Sequence, residues 1–436
     1  MINYSLEHLF NEDSVKKDII IDYGIGQITN KDIYQESFSL SESLNSDTQL
    51  RFGSCEASKV SFSIRNNGIV ALKDMMITIS IVLDNNFENP FVLGNYTVYS
   101  DTLSKDRRKR DIVAYDAMYE IINADVIDWW KSLSFPITIK NLRTSLLNYF
   151  GIEQQEIALV NDGAYIYNSQ SEEDRLSGRT VLNAICEING VFGHINRSGV
   201  FTYVSLGNAS SGIYPTFDLF PGEMVFPGTY SENVEIPRSR YKELFYENYT
   251  AKKIDTLEIR KENGSIGASA GSSNYNARSM SIPNVYIVQN DIITYGQSES
   301  QLQTMATNML NKVENVAYVP SDAEVKGNPC HEVGDSVAFL SDDGSYVDTY
   351  ILTRKLSGIQ ALKDTYTADG VERYSQEVNK VDKNIQSLNF KTADLSRRLF
   401  NLEQGGQAIP IVSVPSLTGN EEYGVVYLVQ GTVVVE

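Results

Sequence analysis

The clearest alternation of apolar and polar positions lies near the start of the chain. Ile77, Ile79, Ile81 and Leu83 alternate with Thr78, Ser80 and Val82, a period of two that gives a strand one buried and one more polar face. Runs of β-branched and aromatic residues at 19–23, 60–64 and 91–99, with 75–83 itself, predict a β-rich first hundred residues. Asn66-Asn67-Gly68 and Asp84-Asn85-Asn86 separate these runs as turns. The period then changes. Tyr115, Met118, Ile122 and Val126 fall at helical spacing, as do Leu142, Leu146, Tyr149 and Phe150 ahead of Gly151. A third helix is predicted over 181–189 before Gly190, then a hairpin of 191–195 and 200–206 around Arg197-Ser198-Gly199. Residues 104–206 thus read as a mixed α+β unit.

Residues 207–240 are rich in Gly, Pro and Ser and read as a connector. Strand signals resume at 241–249 and 257–261, and the Gly, Ser, Ala and Asn-rich stretch 263–281 predicts a mobile loop. Leu302, Met305, Ala306, Met309, Leu310 and Val313 trace one helix face. Ser298 and Gln301 stand ahead of it at capping-box spacing. Strands are expected at 336–340 and 346–356.

The strongest periodic signal comes later. Val378, Ile385, Thr392 and Leu399 are spaced by seven, and Val381, Leu388, Leu395 and Leu402 repeat with an offset of three. These are a and d positions of a coiled coil sustained for over three heptads. The flanking positions are polar or charged, so the stripe is narrower than a helix packed on its own domain normally shows. Self-association is the expected reading. The mixture of Ile and Leu at a with Leu at d leaves dimer and trimer open, and Thr392 weakens the seam locally. Gly405-Gly406 ends the helix. The apolar runs 425–428 and 432–435 predict strands that need a partner or a copy of themselves.

Composition narrows the function. A chain of 436 residues implies several domains. Lys and Arg number 37 against 56 Asp and Glu, a formal net charge of −19. That balance disfavours stable nucleic-acid binding and anionic membranes, although DNA sliding through a bore is compatible with it. The start of the chain lacks signal-peptide character, and no stretch is apolar enough for a membrane anchor. Cys55, Cys186 and Cys330 are too far apart for zinc spacing or a disulfide framework, and read as buried reduced thiols.

Candidate chemistry is sparse. The three histidines, His8, His194 and His331, form no zinc motif, and no nucleophile elbow or phosphate loop occurs. Gly24-Ile25-Gly26 lacks the third glycine of a dinucleotide fingerprint. Cys330-His331 are neighbours in sequence, whereas catalytic pairs are assembled from distant segments. Glu172-Glu173 and Asp342-Asp343 read as solvated pairs, the latter with Gly344 as a hairpin turn. Arg107-Arg108-Lys109-Arg110 is the one basic cluster, more in keeping with a solvated or salt-bridged element than with a nucleic-acid patch. No catalytic, cofactor-binding or metal-binding residues are expected; the candidate functional residues are the eight heptad positions.

Several segments resemble a known family. They are 50–58 (Leu-Arg-Phe-Gly-Ser-Cys-Glu-Ala-Ser), 96–101 with the basic 107–110 and 114–119, and 327–335 (Gly-Asn-Pro-Cys-His-Glu-Val-Gly-Asp) with 359–364. In this order they resemble the phage tail hub, or baseplate hub, proteins of tailed phages and phage-like particles from Gram-positive bacteria. The resemblance covers most of residues 1 to about 375. It implies a mainly β fold with α+β insertions: two tail-tube-like β-barrel domains, smaller α+β domains, then the coiled coil. The expected division is a barrel at 1–103 completed by 207–235, an α+β domain at 104–206, and a second barrel at 236–295 plus 346–375. An inserted α+β domain would occupy 296–345, the coil 376–404 and a β-rich tail 405–436.

The same resemblance implies a homotrimer at the virion tail tip, assembled in the bacterial host cytoplasm. Three subunits would match a sixfold tube to a threefold tip around a channel for DNA and the tape measure protein. Its implied partners are the tail tube protein, distal tail or baseplate proteins, the tape measure protein, and a spike or fibre on 405–436. Long family members continue into a wall hydrolase, whereas the residues after the coil are too few for one. The alternatives are a host cell-surface binding module and a tail-associated cell-wall hydrolase.

Overall fold

Inward-pointing side chains explain how the first sheet closes. In the computed structural model, which describes residues 7–12, 14–168, 175–207, 234–261, 264–272, 283–374, 411–414, 426–429 and 432–435, α1 (Glu7–Asn11) precedes β1 (Lys17–Asp22), β2 (Gln27–Thr29), β3 (Ser39–Ser43) and β4 (Lys59–Arg65). β5 (Met76–Leu83), β6 (Phe91–Leu103) and β7 (Lys109–Tyr115) follow. The hydrogen-bonded order runs β4-β7-β6-β5-β1-β2. The segment after β2 then returns to β4. Tyr34 N donates to Ser63 O at 2.9 Å, Arg65 N donates to Asp32 O at 2.8 Å, and Ile33 bridges Ile64. The sheet is thereby a closed barrel, which leaves no free edge there. Ile19, Ile21, Ile28, Phe62, Ile64, Ile77 and Ile79 fill it, each worth roughly 1.5–3 kcal/mol when fully buried. Gly24 at φ +81° makes the β1–β2 turn, which accounts for the Gly24-Ile25-Gly26 pattern.

The barrel does not stop at residue 103, because β7 pairs with both β6 and β4. Tyr115, expected on a helix, ends that strand. The α+β unit begins with α2 (Met118–Asn123) and α3 (Ile127–Ser132). Between them Asp125 Oδ1 accepts from Ile127 N and Leu176 N, both at 3.1 Å, so the single helix expected through Val126 breaks into two. β8 (Ile137–Thr138), α4 (Ile139–Tyr149), β9 (Tyr165–Ile166), α5 (Gly178–Ile188) and the hairpin of β10 (Phe192–Ile195) and β11 (Phe201–Val204) complete it. Gly151 and Gly190 end α4 and α5 at φ +67° and +63°, as left-handed helix stops do.

The later strands divide otherwise than the sequence implied. β12 (Val234–Ile236) and β13 (Tyr241–Tyr246) are followed by β14 (Thr256–Arg260), β15 (Ile266–Gly271), β16 (Val285–Val288), α6 (Asp291–Thr294) and α7 (Glu299–Val313). β15-β14-β16 form their own three-stranded sheet, with α7 packed on β15 and β14. This second α+β unit therefore takes in residues 256–288, expected in the second barrel, together with α7. The stretch read as a loop over 263–281 contains β15. Its small residues are there for close packing: a Cβ on Gly267 would lie 2.7 Å from Leu302 Cδ1, so composition that suggested mobility instead admits a helix. α7 carries the expected capping box, Ser298 with Gln301.

β17 (Ser321–Lys326), β18 (Ser336–Leu340), β19 (Tyr346–Tyr350), β20 (Thr353–Ser357) and β21 (Lys363–Ala368) return to the β architecture. β13-β17-β21-β20 joins β3 and hence the barrel, giving one sheet of eleven strands. β12-β18-β19 form a separate sheet, tied in by Val319 N donating to Asp348 O at 2.9 Å and Tyr241 Oη to Leu340 O at 2.6 Å. β17 and β18 thus belong to this β half, although both were expected in the insert. Architecture in these residues is mainly β with α+β units.

Residues 1–376 and 377–436 are distinct compact units. In the second, β22 (Ile411–Val414) runs parallel to β23 (Val426–Val429), which pairs antiparallel with β24 (Thr432–Val435). The coil expected at 376–404 lies outside the described residues, as do 208–233 of the connector expected at 207–240, whose described end forms β12 of the separate three-stranded sheet.

The seat of α5 gives a test. A Cβ on Gly178 would collide with the carbonyl oxygen of Ile121, which α2 holds in place. Gly178→Ala should cost about 1–3 kcal/mol, the range for overpacking, read as a lower urea midpoint at unchanged slope. A variant as stable as the parent would show that α2 and α5 can separate freely.

Candidate functional site

The joint between the two β halves concentrates the buried charge of the molecule. Arg354 on β20 and Glu42 on β3 are cross-strand partners, and both take inward positions, on the same face as Leu356 and Leu40. Arg354 is 1% exposed. Its Nε and Nη2 donate to the two carboxylate oxygens of Asp364, on β21, at 3.0 and 2.8 Å. Its Nη1 donates to Glu42 Oε2 at 3.4 Å and to the His331 carbonyl at 2.5 Å, and Nη2 donates to the Asn328 carbonyl at 3.0 Å. All five guanidinium donors are used. Burial would lower this guanidinium, but the Asp364 carboxylate overcomes that and raises it.

A second arginine joins the α+β hairpin to the same loop. Arg197 donates to the carbonyls of Pro329 and His331, pairs with Glu332 at 3.3 Å, and lies over the Phe91 ring at 4.9 Å. His331 Nδ1 shares a 2.8 Å hydrogen bond with Tyr366 Oη, and its Nε2 lies 3.5 Å from Glu7 of α1. His194, buried, has its Nε2 4.0 Å from Glu42, while its Nδ1 has no hydrogen-bond partner among the described residues. A polar cavity of about 10 Å³ adjoins, lined by Glu42, Ser58, Tyr96, Asp116, Asn196 and Arg197 among others. It has room for one water at most.

Segments 50–58, 327–335 and 359–364, with Tyr96 and Asp116, meet at this joint and at the neighbouring seat of α5, whereas Asp101 and Arg110 pair with each other in the barrel. Gly53, at φ +88°, sits so close to α5 that a Cβ would meet Glu187 Cβ at 2.5 Å. Phe52 packs on Phe192 and Tyr286, and Glu56 pairs with Arg179 at 2.9 Å. Asp101 binds Arg110, whose guanidinium also donates to the carbonyls of Ile69 and Val70 at 2.7 and 2.9 Å. Asp116 accepts from Ser58 N at 3.0 Å and Met118 N at 3.1 Å. The 327–335 and 359–364 segments supply the carbonyls and the Asp364 carboxylate that hold Arg354. These motifs build joints.

The other candidate groups are dispersed. Burial pushes the Cys330 thiol up to about 11, the opposite of an activated thiolate, and the His331 ring is bonded to Tyr366 and Asn328. Asp342 pairs with Arg238 at 2.6 Å, and Asp343 accepts from Ser345 N at 2.9 Å in the hairpin turn. Of the basic cluster, Arg107 and Arg108 form the β6–β7 turn, Lys109 pairs with Asp111 at 2.9 Å, and Arg110 is buried. Among the described residues no group of three or more His, Cys, Asp or Glu is placed to hold a metal, and no helix is long and apolar enough to cross a membrane. Val378, Val381, Ile385, Leu388, Thr392, Leu395, Leu399 and Leu402 lie outside the described residues, as do Glu172 and Glu173. Sequence reading did not single out Arg354 and Glu42, and held Asp364 only as part of 359–364; the available signal was one charged residue in phase with the apolar positions of each strand.

Two outcomes are expected. Arg354→Met leaves Asp364 and Glu42 buried without their cation and should cost roughly 3–5 kcal/mol in denaturant unfolding. Adding Asp364→Leu should restore part of it; two costs that simply add would contradict the coupling. Burial pushes the Asp116 carboxyl up to about 7 against its two N–H donors. The fold therefore holds a proton that the unfolded chain releases between pH 4 and 7. Its contribution to stability is greatest below pH 4 and falls by at most about 1.4 kcal/mol per pH unit through that window. Asp116→Asn should flatten that decline in a pH series of unfolding curves; an unchanged slope would assign it elsewhere.

No family model matches the chain, and no curated protein sequence matches it. Solved structures to which the chain is similar include the 43 kDa tail protein of prophage MuSo2 from Shewanella oneidensis, 11% identical, covering 81% of this chain and 96% of that one with a TM-score of 0.47. A tail protein from Neisseria meningitidis MC58 is 10% identical, covering 83% and 100% with a TM-score of 0.48. Prophage tail protein gp18 from Listeria monocytogenes EGD-e is 14% identical, covering 85% and 98% with a TM-score of 0.45.

Proposed function

We propose that this chain is a structural subunit of a phage or phage-like tail, the trimeric hub at the tail tip, and that it catalyses no reaction. One observation carries the reading: most of the segments that resemble tail hub proteins, 50–58, 327–335 and 359–364 among them, converge on the buried joints of the fold. Their work is architectural. The joint at Arg354 fuses a closed barrel and a second β half into one subunit, so three subunits would present six such halves around a channel. That suits a part that adapts a sixfold tail tube to a threefold tip and passes DNA and the tape measure protein.

Two features support assembly. β13 is the outer strand of the eleven-strand order and carries Phe245 and Tyr246, 65% and 47% exposed; an outer strand with exposed aromatics is suited to a neighbouring protein. The heptads at 378–402 supply a self-association seam, and 405–436 the attachment point for a spike or fibre. The net charge of −19 lets DNA pass the bore without adhering.

Light scattering coupled to size exclusion tests this on the full chain and on the double variant Leu388→Asp, Leu395→Asp. The expected result is a trimer that dissociates to monomer in the variant. A parent chain that is monomeric at micromolar concentration would overturn the autonomous trimer.

A further inference from the structure

Cys55 and Cys186 lie 131 residues apart in sequence, yet their sulfurs are 3.7 Å apart and neither residue has exposed surface. Cys55 comes from the extended segment that bridges Gly193 of β10, and Cys186 from the last turn of α5. Three glycine contacts enforce the approach. Gly53 lets the segment touch α5, a Cβ on Gly193 would lie 2.6 Å from Cys55 Sγ, and Gly178 seats α5 against Ile121. Among the described residues the Cys55 thiol has weak ties, to the Gly53 carbonyl at 3.4 Å and to Cys186. Cys330 packs in the separate core of the barrel.

We propose that Cys55 and Cys186 are a covalent modification site, a reversible disulfide that fastens α5 to the segment following β3. The sulfurs must close by roughly 1.7 Å to reach the ~2.05 Å of the bond, a movement within reach of side-chain rotation. The oxidant is a small molecular disulfide or an azo compound. One thiolate attacks it to form a mixed adduct, and the second thiolate displaces the reduced oxidant as the S–S bond forms. Two thiols lose two electrons and two protons; a disulfide oxidant leaves as two thiols, an azo oxidant as the hydrazine. Contact with Cys55, reinforced by burial, holds the Cys186 thiol protonated, so reaction in the folded chain follows local opening of the 53–56 segment. The bond closes a loop of about 130 residues, and constraint on the unfolded chain grows with loop length. The inference does not depend on the assembly proposed above.

The test uses the full chain, purified reduced, then treated with diamide, an azo oxidant, under native conditions. The sample is quenched, denatured, and its thiols counted. The count should fall from three to one, with a mass loss of about 2 Da and a linked Cys55–Cys186 peptide after proteolysis. Cys330→Ser should still lose two thiols under oxidant, and Cys55→Ser none. The oxidised chain should melt several degrees above the same sample re-reduced. Three thiols retained, a link involving Cys330 or a second copy, or an unchanged melting temperature would overturn the proposal.

Discussion

The fold depends on one guanidinium placed where two β systems meet. A charge taken from water costs several kcal/mol unless its partners are well placed, and Arg354 has five acceptors for its five donors. Those acceptors come from β3, β21 and the 328–331 loop, so they are satisfied only when the barrel, the second β half and the loop are all in position. The β3–β20 ladder alone would tolerate a register slip, since Ser39, Ser41 and Ser43 look out and Lys355 faces solvent. A slip by one residue would turn Arg354 and Glu42 outward and Ser and Lys inward. The buried pair thus makes one register much better than its neighbours, and the joint is specified by polar geometry within an apolar setting.

The α+β units are fixed to this frame by close backbone approach. Gly53 against α5, Gly178 against α2 and Gly267 under α7 each remove a side chain where a helix must come near. Asn161 extends the arrangement from the first α+β unit to the second, donating to the Ile188 carbonyl at 2.6 Å and to Met305 O at 3.2 Å. One continuous apolar cluster includes Ile185 and Ile188 of α5 as well as Leu302 and Met309 of α7. The helices therefore share a core across what the sequence divides into separate domains.

That contrast shows what a sequence conveys. Elements with strong local period were legible: β5 from its alternation, α7 from its stripe and capping box, α4 and α5 from their glycine stops. The barrel was legible only as a β-rich region, because closure depends on Ile33 returning to Ile64, a contact no local pattern encodes. Residues 263–281 misled for a definite reason. Gly and Ala signal chain freedom in isolation, yet at Gly267, Ala268 and Ala270 they admit α7. Domain borders failed where strands distant in sequence pair, as β20 does with β3. The joint itself was hidden because Arg354, Glu42 and Asp364 look like surface charges until their inward register is known.

The distribution of charge connects the joint to assembly. Arg354–Asp364, Arg110–Asp101 and Arg143–Asp162 are paired arginines and aspartates withdrawn from most solvent. Each pair is neutral, so burying it leaves the net −19 on the remaining groups. Copies of the chain brought together would carry that excess several times over, and at physiological salt repulsion is screened only beyond about 8 Å. Contacts closer than that must be apolar or individually paired. The heptad positions proposed at 378–402, Val, Ile and Leu but for Thr392, would meet the condition, as would an outer strand with Phe245 and Tyr246. In the assembly proposed above, the acidity that would let DNA slide past would thus demand that self-association be carried by such apolar surfaces.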